Sequence, residues 1–464
     1  MAIPMTLPLV SSTQVRNRST KRYLSIFRAA LSGLFGKGTN LLVSAATVPL
    51  AVRYLGSEGY GLWITISSAV TMFFVLDIGI ANTLTNLISE AYANDDKEHA
   101  AASFTTAFWL VLGISALLGI AGATLWPYFD WPAIFHVQNP ALFHDTTTAV
   151  GVAFIVFLCA LPAGLASRVL AGYQELHAAN LFAVGGSIAS LVGVVLVIHF
   201  HGSLPMLVAV YAGSQAAANA VCLAWICLFR KPWLRPLPSR FRAHLIGNIF
   251  HSGGQFFLVQ IAGLVVFNSD NLVISHYLSP AQVTPYNVTW RIVSYITAAQ
   301  VIFFPALWPA YSEAHAKGDL AWIRSAYARN RWITLAVLTV GCAILLVAGR
   351  QIILLWAGAA AVPSVSLLRL MCLWMFIFAI TLNQSCLMGA TYRVSKQAIY
   401  GPLAAVVNLI LSILWVRTMG PTGVLLATVV SYLVFIVGMQ SWEVRRILRG
   451  DFLPHREQAD ATHG

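Results

Sequence analysis

The sequence predicts an all-α integral membrane protein of twelve transmembrane helices, arranged as two six-helix bundles related by a parallel repeat. Three observations predict it. Of the 464 residues, 58% are hydrophobic and only 9% are charged, with a mean hydropathy of +0.75, whereas soluble domains are about 25% charged. Apolar runs of about 20 residues, the length that crosses hydrocarbon, recur along the whole chain. Short motifs also recur between the two halves at one fixed spacing.

In chain order the apolar runs fall at 31–53, 61–88, 103–126, 148–170, 180–200, 205–229, 250–275, 285–311, 332–349, 363–388, 397–416 and 421–442. An even number of crossings puts both termini on one side, and the basic residues decide which. One set of loops and tails holds most of them, among them Arg16, Arg18, Lys21, Arg22, Lys97, Arg168, Arg230, Lys231, Lys317, Arg324, Arg445 and Arg446; the other holds only Arg53, Arg350 and Arg417. Cytoplasmic loops carry the excess of Lys and Arg, so both termini are expected in the cytoplasm. The layout is then a cytoplasmic tail (1–23), a first lobe (24–229), a basic Pro-rich linker (230–246), a second lobe (247–443) and a cytoplasmic tail (444–464).

The net charge of +12 does not indicate nucleic acid, because the basic residues sit in the short loops and tails that orient a membrane protein. No cleavable signal is evident, since the first basic cluster follows the opening apolar run instead of preceding it. All six cysteines fall in apolar stretches without a CxxC pair and read as buried, reduced packing residues. The longest outer loop, 127–147, is too short for a catalytic domain. With no nucleophile triad, metal spacing or phosphate-binding glycine loop, nothing suggests an enzyme or a metal site.

The halves repeat. "SEAYANDD" (Ser89 to Asp96) reappears as "SEAHAKGD" (Ser312 to Asp319), an offset of 223 residues, and "RYL" (Arg53 to Leu55) meets "HYL" (His276 to Leu278) at the same offset. An even number of spans per half makes such a repeat parallel, with its axis along the membrane normal. Glu90 and Glu313 occupy equivalent places and are expected at the cytoplasmic helix ends as gate or structural residues.

Charge inside the spans is costly and rare. It is found at Lys37, Asp77, Asp270, Arg291 and Arg369. With the first hairpin centred near Gly56, Lys37 and Asp77 lie about 30 Å below it at 1.5 Å per residue; Asp270 and Arg291 lie about 15 Å below the second hairpin. Lys37–Asp77 and Asp270–Arg291 therefore read either as structural ion pairs or as a working ladder of charge. Arg369 lies near the outer end of its span, where it could snorkel. The polar residues Gln255, Gln260, Asn268, Asn271, Gln300, Asn383 and Gln384 either line a polar cavity and meet sugar hydroxyls or glue helices together. Three cations against two carboxylates favour an anionic cargo.

"YLGSEGYGLW" (Tyr54 to Trp63), "DIGIANTLTNLISEAYA" (Asp77 to Ala93) and "GPTGVLLATVVSYL" (Gly420 to Leu433) resemble polysaccharide transporters of the O-antigen flippase type. These belong to the multidrug/oligosaccharidyl-lipid/polysaccharide exporter superfamily, and the similarity covers nearly the whole chain. The resemblance implies translocation of an undecaprenyl-pyrophosphate-linked oligosaccharide from the inner to the outer leaflet of a bacterial inner membrane. It makes Lys37, Arg291 and Arg369 candidates for the pyrophosphate and Asp77 and Asp270 candidates for counter-ions or coupling groups. No cofactor is expected; H+ or Na+ would be the coupling ion. Membrane lipids, a polysaccharide polymerase and a chain-length regulator are the candidate partners. A drug or cation exporter of the same superfamily, the alternative, would carry excess carboxylate in its cavity, and a lipid II flippase two further spans.

Overall fold

The structure, a computed structural model, describes residues 12–74, 79–301, 304–391 and 397–451. They form helices α1 (Ser12–Phe73), α2 (Ile80–Ala93), α3 (Lys97–Leu125), α4 (Trp131–Ile134), α5 (Phe143–Gly172), α6 (Leu176–His199), α7 (Leu204–Trp225), α8 (His244–Tyr277), α9 (Pro280–Val301), α10 (Phe304–Ala316), α11 (Leu320–Ala357), α12 (Val365–Ala390), α13 (Gln397–Met419), α14 (Pro421–Ser431) and α15 (Gly438–Arg449). No strand occurs among the described residues. Helix is what hydrocarbon demands, because every backbone polar group must be satisfied within its own segment.

Eight helical stretches among the described residues are long and apolar enough to cross a membrane. Their outward faces carry exposed Leu117, Ile155, Val340, Val347 and Leu414, which water would not favour and lipid does. The chain is a multi-pass membrane protein. The described residues of the runs at 31–53, 61–88, 250–275 and 285–311 also fall largely in helices, namely α1, α2, α8, α9 and α10.

The structure refines the predicted boundaries. The first two spans are joined without a loop: α1 turns at Gly56, whose φ of 70° and ψ of −175° break the helix in a region only glycine enters freely. The second span is not one helix. It is divided between α1 and α2, and α2 starts behind Gly79 in the left-handed conformation. Cys159 is exposed while the other five cysteines are buried and free, which corrects the expectation that all six are packing residues.

The repeat is visible in local contacts. Asp96 caps α3 by accepting from the His99 N–H, and Asp319 caps α11 by accepting from the Trp322 N–H. Each is preceded by a residue of positive φ, Asp95 and Gly318. Ser89 Oγ donates to the carbonyl of Gly172 and Ser312 Oγ to that of Ala390. The caps, the positive-φ residues and the two serines keep the 223-residue offset, whereas the accepting carbonyls of Gly172 and Ala390 are 218 residues apart.

The stretch at 230–246 is less a free linker than a clasp on the first half. Lys231 is 7% exposed; its ammonium lies 3.1 Å from Glu175 and 4.0 Å from the centre of the Tyr173 ring. Trp109 Nε1 donates to the carbonyl of Pro236 at 3.2 Å, and the Arg242 N–H donates to Thr106 Oγ1 at 3.1 Å. Lys231 is thus committed to the protein.

α1 joins the halves: it packs on α5 and α6 of its own half and on α8 and α9 of the other. The seam is closed at the end marked by Gly56. There Thr284 Oγ1 donates to the carbonyl of Ser57 at 2.5 Å, Arg53 donates to the carbonyls of Leu355 and Trp356 at 2.7 and 3.3 Å, and Ser275 Oγ donates to the carbonyl of Phe135 at 3.0 Å. Gly61 permits this closeness, since a Cβ there would lie 1.7 Å from the carbonyl oxygen of Pro280. An alanine in a helix interior normally gains about 0.5–1 kcal/mol over glycine. Gly61→Ala should instead lower the thermal midpoint of the purified protein, whereas Gly213→Ala, where nothing lies within 4 Å, should leave it equal or higher.

Candidate functional site

Below the closed seam lies a cavity of about 780 Å³ lined by α1, α8, α9 and, through Phe378, α12. Helical periodicity builds it. Lys37, Asn40, Leu41 and Ser44 fall on one face of α1, and Ile64, Ser67, Ser68 and Thr71 on one face of its second arm, each at the spacing of three and four that aligns side chains. Asn287, Arg291 and Tyr295 form an i, i+4 stripe on α9. Most of the residues on the wall are polar, yet they come from spans the sequence must insert into lipid.

Arg291 is half-buried and held by neutral oxygens. Its Nε donates to Asn287 Oδ1 at 3.0 Å and its Nη1 to Ser44 Oγ at 2.8 Å. Tyr295 donates to the same Ser44 oxygen at 3.0 Å, and Tyr60 to Asn287 Oδ1 at 3.2 Å. Depth explains the match. Ser44 lies twelve residues below Gly56 and Arg291 eleven below Pro280, about 17–18 Å at the helical rise. The guanidinium has five N–H donors, and these bonds use two of them, so its fork remains available to an oxyanion in the cavity.

Lys37 is exposed on the cavity wall, about 10 Å further from the closed end than Ser44. Among the described residues it has no ion-pair partner. Asp77, its expected neighbour, lies outside the described residues, as do the side chains of Gln255, Gln260 and Gln300.

Asp270 does not pair with Arg291 as expected. Its Oδ2 accepts from Tyr286 OH and from Thr428 Oγ1, the latter at 3.4 Å. The reason is angular: Tyr286 and Asn287 are neighbours on α9, so their side chains diverge by about 100°. One faces α8 and α14, and the other carries Arg291's contacts toward α1. Asn268 and Asn271 line the cavity, and Asn271 Nδ2 donates to Ser68 Oγ at 2.9 Å, a bond across the seam.

Other candidates are elsewhere. Arg369 is exposed on α12 and is not part of the cavity wall. Asn383 is buried between α11 and α12, accepting from Asn330 Nδ2 and donating to Thr334 Oγ1 at 3.1 Å. Gln384 Nε2 donates to Ser441 Oγ at 2.9 Å, joining α12 to α15. These two glue helices together. Glu90 and Glu313 are exposed in the last turns of α2 and α10. Glu313 bonds Lys317, which holds its carboxyl below the usual range and raises the lysine in return.

Sequence reasoning missed Ser44, Tyr60, Asn287, Tyr295 and Thr428. The i, i+4 spacing of Asn287 and Tyr295 around Arg291 was a usable signal; Ser44, Tyr60 and Thr428 lie on other helices and had none.

The cavity has two cations, Lys37 and Arg291, against one carboxylate, Asp270, among its described lining residues. Such a site can hold an anion at two heights and offer amides and hydroxyls beside it. Trp290 and Phe378 also line it and offer apolar ring surface.

The profile of the polysaccharide biosynthesis protein family matches residues 26–315. A provisionally named O-antigen transporter of Salmonella typhimurium (strain LT2) is 22% identical over 405 residues, covering 84% of this chain and 89% of the relative. A provisionally named O-antigen export protein of Yersinia pseudotuberculosis is 24% identical over 289 residues, covering 60% of this chain and 63% of the relative, so that match spans less than two thirds of the Yersinia protein. Among solved structures, the inward-facing conformation of a multidrug resistance MATE family transporter of the MOP superfamily superposes with a TM-score of 0.73 at 16% identity, covering 89% of this chain and 95% of that one. This likeness extends to the fold.

The different placements of Asn383 and Arg369 have measurable consequences. Asn383→Ala should destabilise the purified protein by about 0.6–2 kcal/mol, the range of interhelical hydrogen bonds in membranes. Arg369→Ala should stay within about 0.5 kcal/mol, as surface substitutions do. Thermal or denaturant unfolding in detergent reads both.

Proposed function

The chain belongs to the polysaccharide biosynthesis protein family, and from that premise we propose that it is a flippase for an undecaprenyl-pyrophosphate-linked oligosaccharide. It carries this cargo from the inner to the outer leaflet of a bacterial inner membrane by alternating access. Twelve crossings form two six-helix bundles, with both termini and the basic loops in the cytoplasm and the closed Gly56 end facing out. The observation that carries the reading is the cationic cavity at the seam between the halves. The names of the curated relatives support the polysaccharide cargo.

The chemistry follows from the wall. A pyrophosphate crossing hydrocarbon unaided would cost far more than a protein could recover, so it travels against fixed positive charge. Lys37, a point charge on a flexible stem, meets it first from the cytoplasmic side and follows it. Arg291, nearer the closed end, grips through its planar fork. The asparagines of α8 and α9 hydrogen-bond sugar hydroxyls, and the polyprenyl tail stays in lipid. Opening the outer end requires breaking the bonds of Arg53, Thr284 and Ser275 across the seam.

The second reading, a multidrug or cation exporter, is favoured by the MATE fold. It places organic cations in the same cavity, where Lys37 and Arg291 repel them. In a strain lacking the native protein, Lys37→Ala and Arg291→Ala should each abolish surface polysaccharide and accumulate lipid-linked intermediate, at membrane levels close to wild type. Lys37→Arg should restore part of the export and Lys37→Glu none. Normal polysaccharide in Lys37→Ala would defeat the cargo assignment. Drug sensitivity that changes while polysaccharide does not would favour the exporter.

A further inference from the structure

A side pocket of about 40 Å³ opens beside Arg291. Arg291 and Ser44 line both this pocket and the main cavity, so the two spaces meet at the guanidinium. Apart from Arg291, the wall belongs to the first half: Thr47 and Val48 come from the first arm of α1, Tyr60 and Trp63 from its second arm, and Tyr211 from α7. The rings brace one another. Trp63 meets Tyr60 edge-on with 6.0 Å between ring centres, and Tyr211 edge-on at 5.0 Å. Two hydroxyls are left over. Thr47 is 3% exposed and its Oγ1 has no hydrogen-bond partner among the described residues, whereas Thr39, Thr65 and Thr71 on the same helix each bond the carbonyl four residues back. The Tyr211 hydroxyl makes no hydrogen bond among the described residues either.

One water takes up about 10–15 Å³ of such free space, so the pocket holds about three heavy atoms. Three rings and Val48 make its interior largely apolar, which disfavours a charged or wholly polar occupant. A buried hydroxyl without a partner is costly, and an acceptor oxygen placed in the pocket removes that cost. An acetyl group meets each requirement. It has three heavy atoms, a methyl for the ring faces and a carbonyl oxygen for a hydroxyl donor. Position then fixes where that group sits on a cargo. A phosphate held by Arg291 is joined to the first carbon of its sugar, and the substituent on the neighbouring carbon is the one that reaches a pocket beginning at the guanidinium.

We propose that this pocket is an acyl subsite, which selects cargo whose pyrophosphate-linked sugar carries an acetamido group next to the phosphate-bearing carbon. Thr47 donates to the amide carbonyl, Tyr211 is the second donor within the wall, and Trp63 and Val48 pack the methyl. The site reads the sugar nearest the carrier and is therefore indifferent to the length of the glycan beyond it. The pocket belongs to the first half and the guanidinium to the second, so a sugar seated there engages both halves at once. The inference rests on the flippase reading and narrows its substrate class.

The test is calorimetric titration of the purified full-length protein in detergent with two synthetic probes, farnesyl-pyrophosphoryl-N-acetylglucosamine and farnesyl-pyrophosphoryl-glucose. They differ only in an acetamido group in place of a hydroxyl. The acetamido probe should bind about tenfold tighter, the scale of one buried methyl plus one hydrogen bond. Thr47→Val should cut that preference about fivefold, the worth of one hydrogen bond, and leave the glucose probe within about twofold of wild type. Val48→Met, which fills the pocket, should erase the preference. Equal affinities in the wild type mark a pocket that holds only ordered water; they overturn the subsite and leave the cargo reading standing. A preference undiminished in Thr47→Val also overturns it. If Thr47→Val fails to fold, Val48→Met decides, and an undiminished preference there overturns the subsite. Binding of neither probe defeats the cargo reading and the subsite with it.

Discussion

A charged side chain in hydrocarbon must find a partner, water or the interior of the bundle, and the rest of this structure depends on that constraint. Three of the intramembrane charges, Lys37, Asp270 and Arg291, lie on α1, α8 and α9, whose faces meet at the seam between the halves. Helices such as α3, α6 and α11 then meet lipid with exposed apolar side chains. Placing charge at the seam creates the cavity.

The two cations are supported differently. Arg291 is oriented by Asn287 and Ser44, which are oriented in turn by Tyr60 and Tyr295. That network crosses the seam, so the residue expected to grip an anion also helps hold the halves together. Under the proposed function, competition between an oxyanion and Ser44 for the guanidinium would link binding to opening. Among the described residues Lys37 has no such support. Two cations at two depths make a graded path.

Asp270 shows how far spacing carries an argument and where it stops. Its depth was read correctly enough to place it on the cavity with Arg291, yet the pair does not form. Depth along a helix follows from residue count, but direction around it depends on what packs against each face. Tyr286 takes Asp270 toward α14, while Asn287, one position on, takes Arg291 toward α1. Asn383 and Gln384 are similar: their presence in a span was plain, but only their neighbours on α11 and α15 show that they join helices.

By itself the sequence determined the membrane class, the helical character, the 223-residue repeat and the presence of cations where a lipid-embedded helix should have none. These are legible because hydrophobicity and helical rise act locally, through composition and residue count. Tertiary structure alone decided that Arg291 is held by neutral oxygens and that Arg369 lies outside the cavity. It also decided that Lys231 is clasped by Glu175 and Tyr173, and that Tyr286 and Thr428 bond Asp270. Those contacts join helices far apart in the chain, and no local pattern records which face of one helix will meet which face of another.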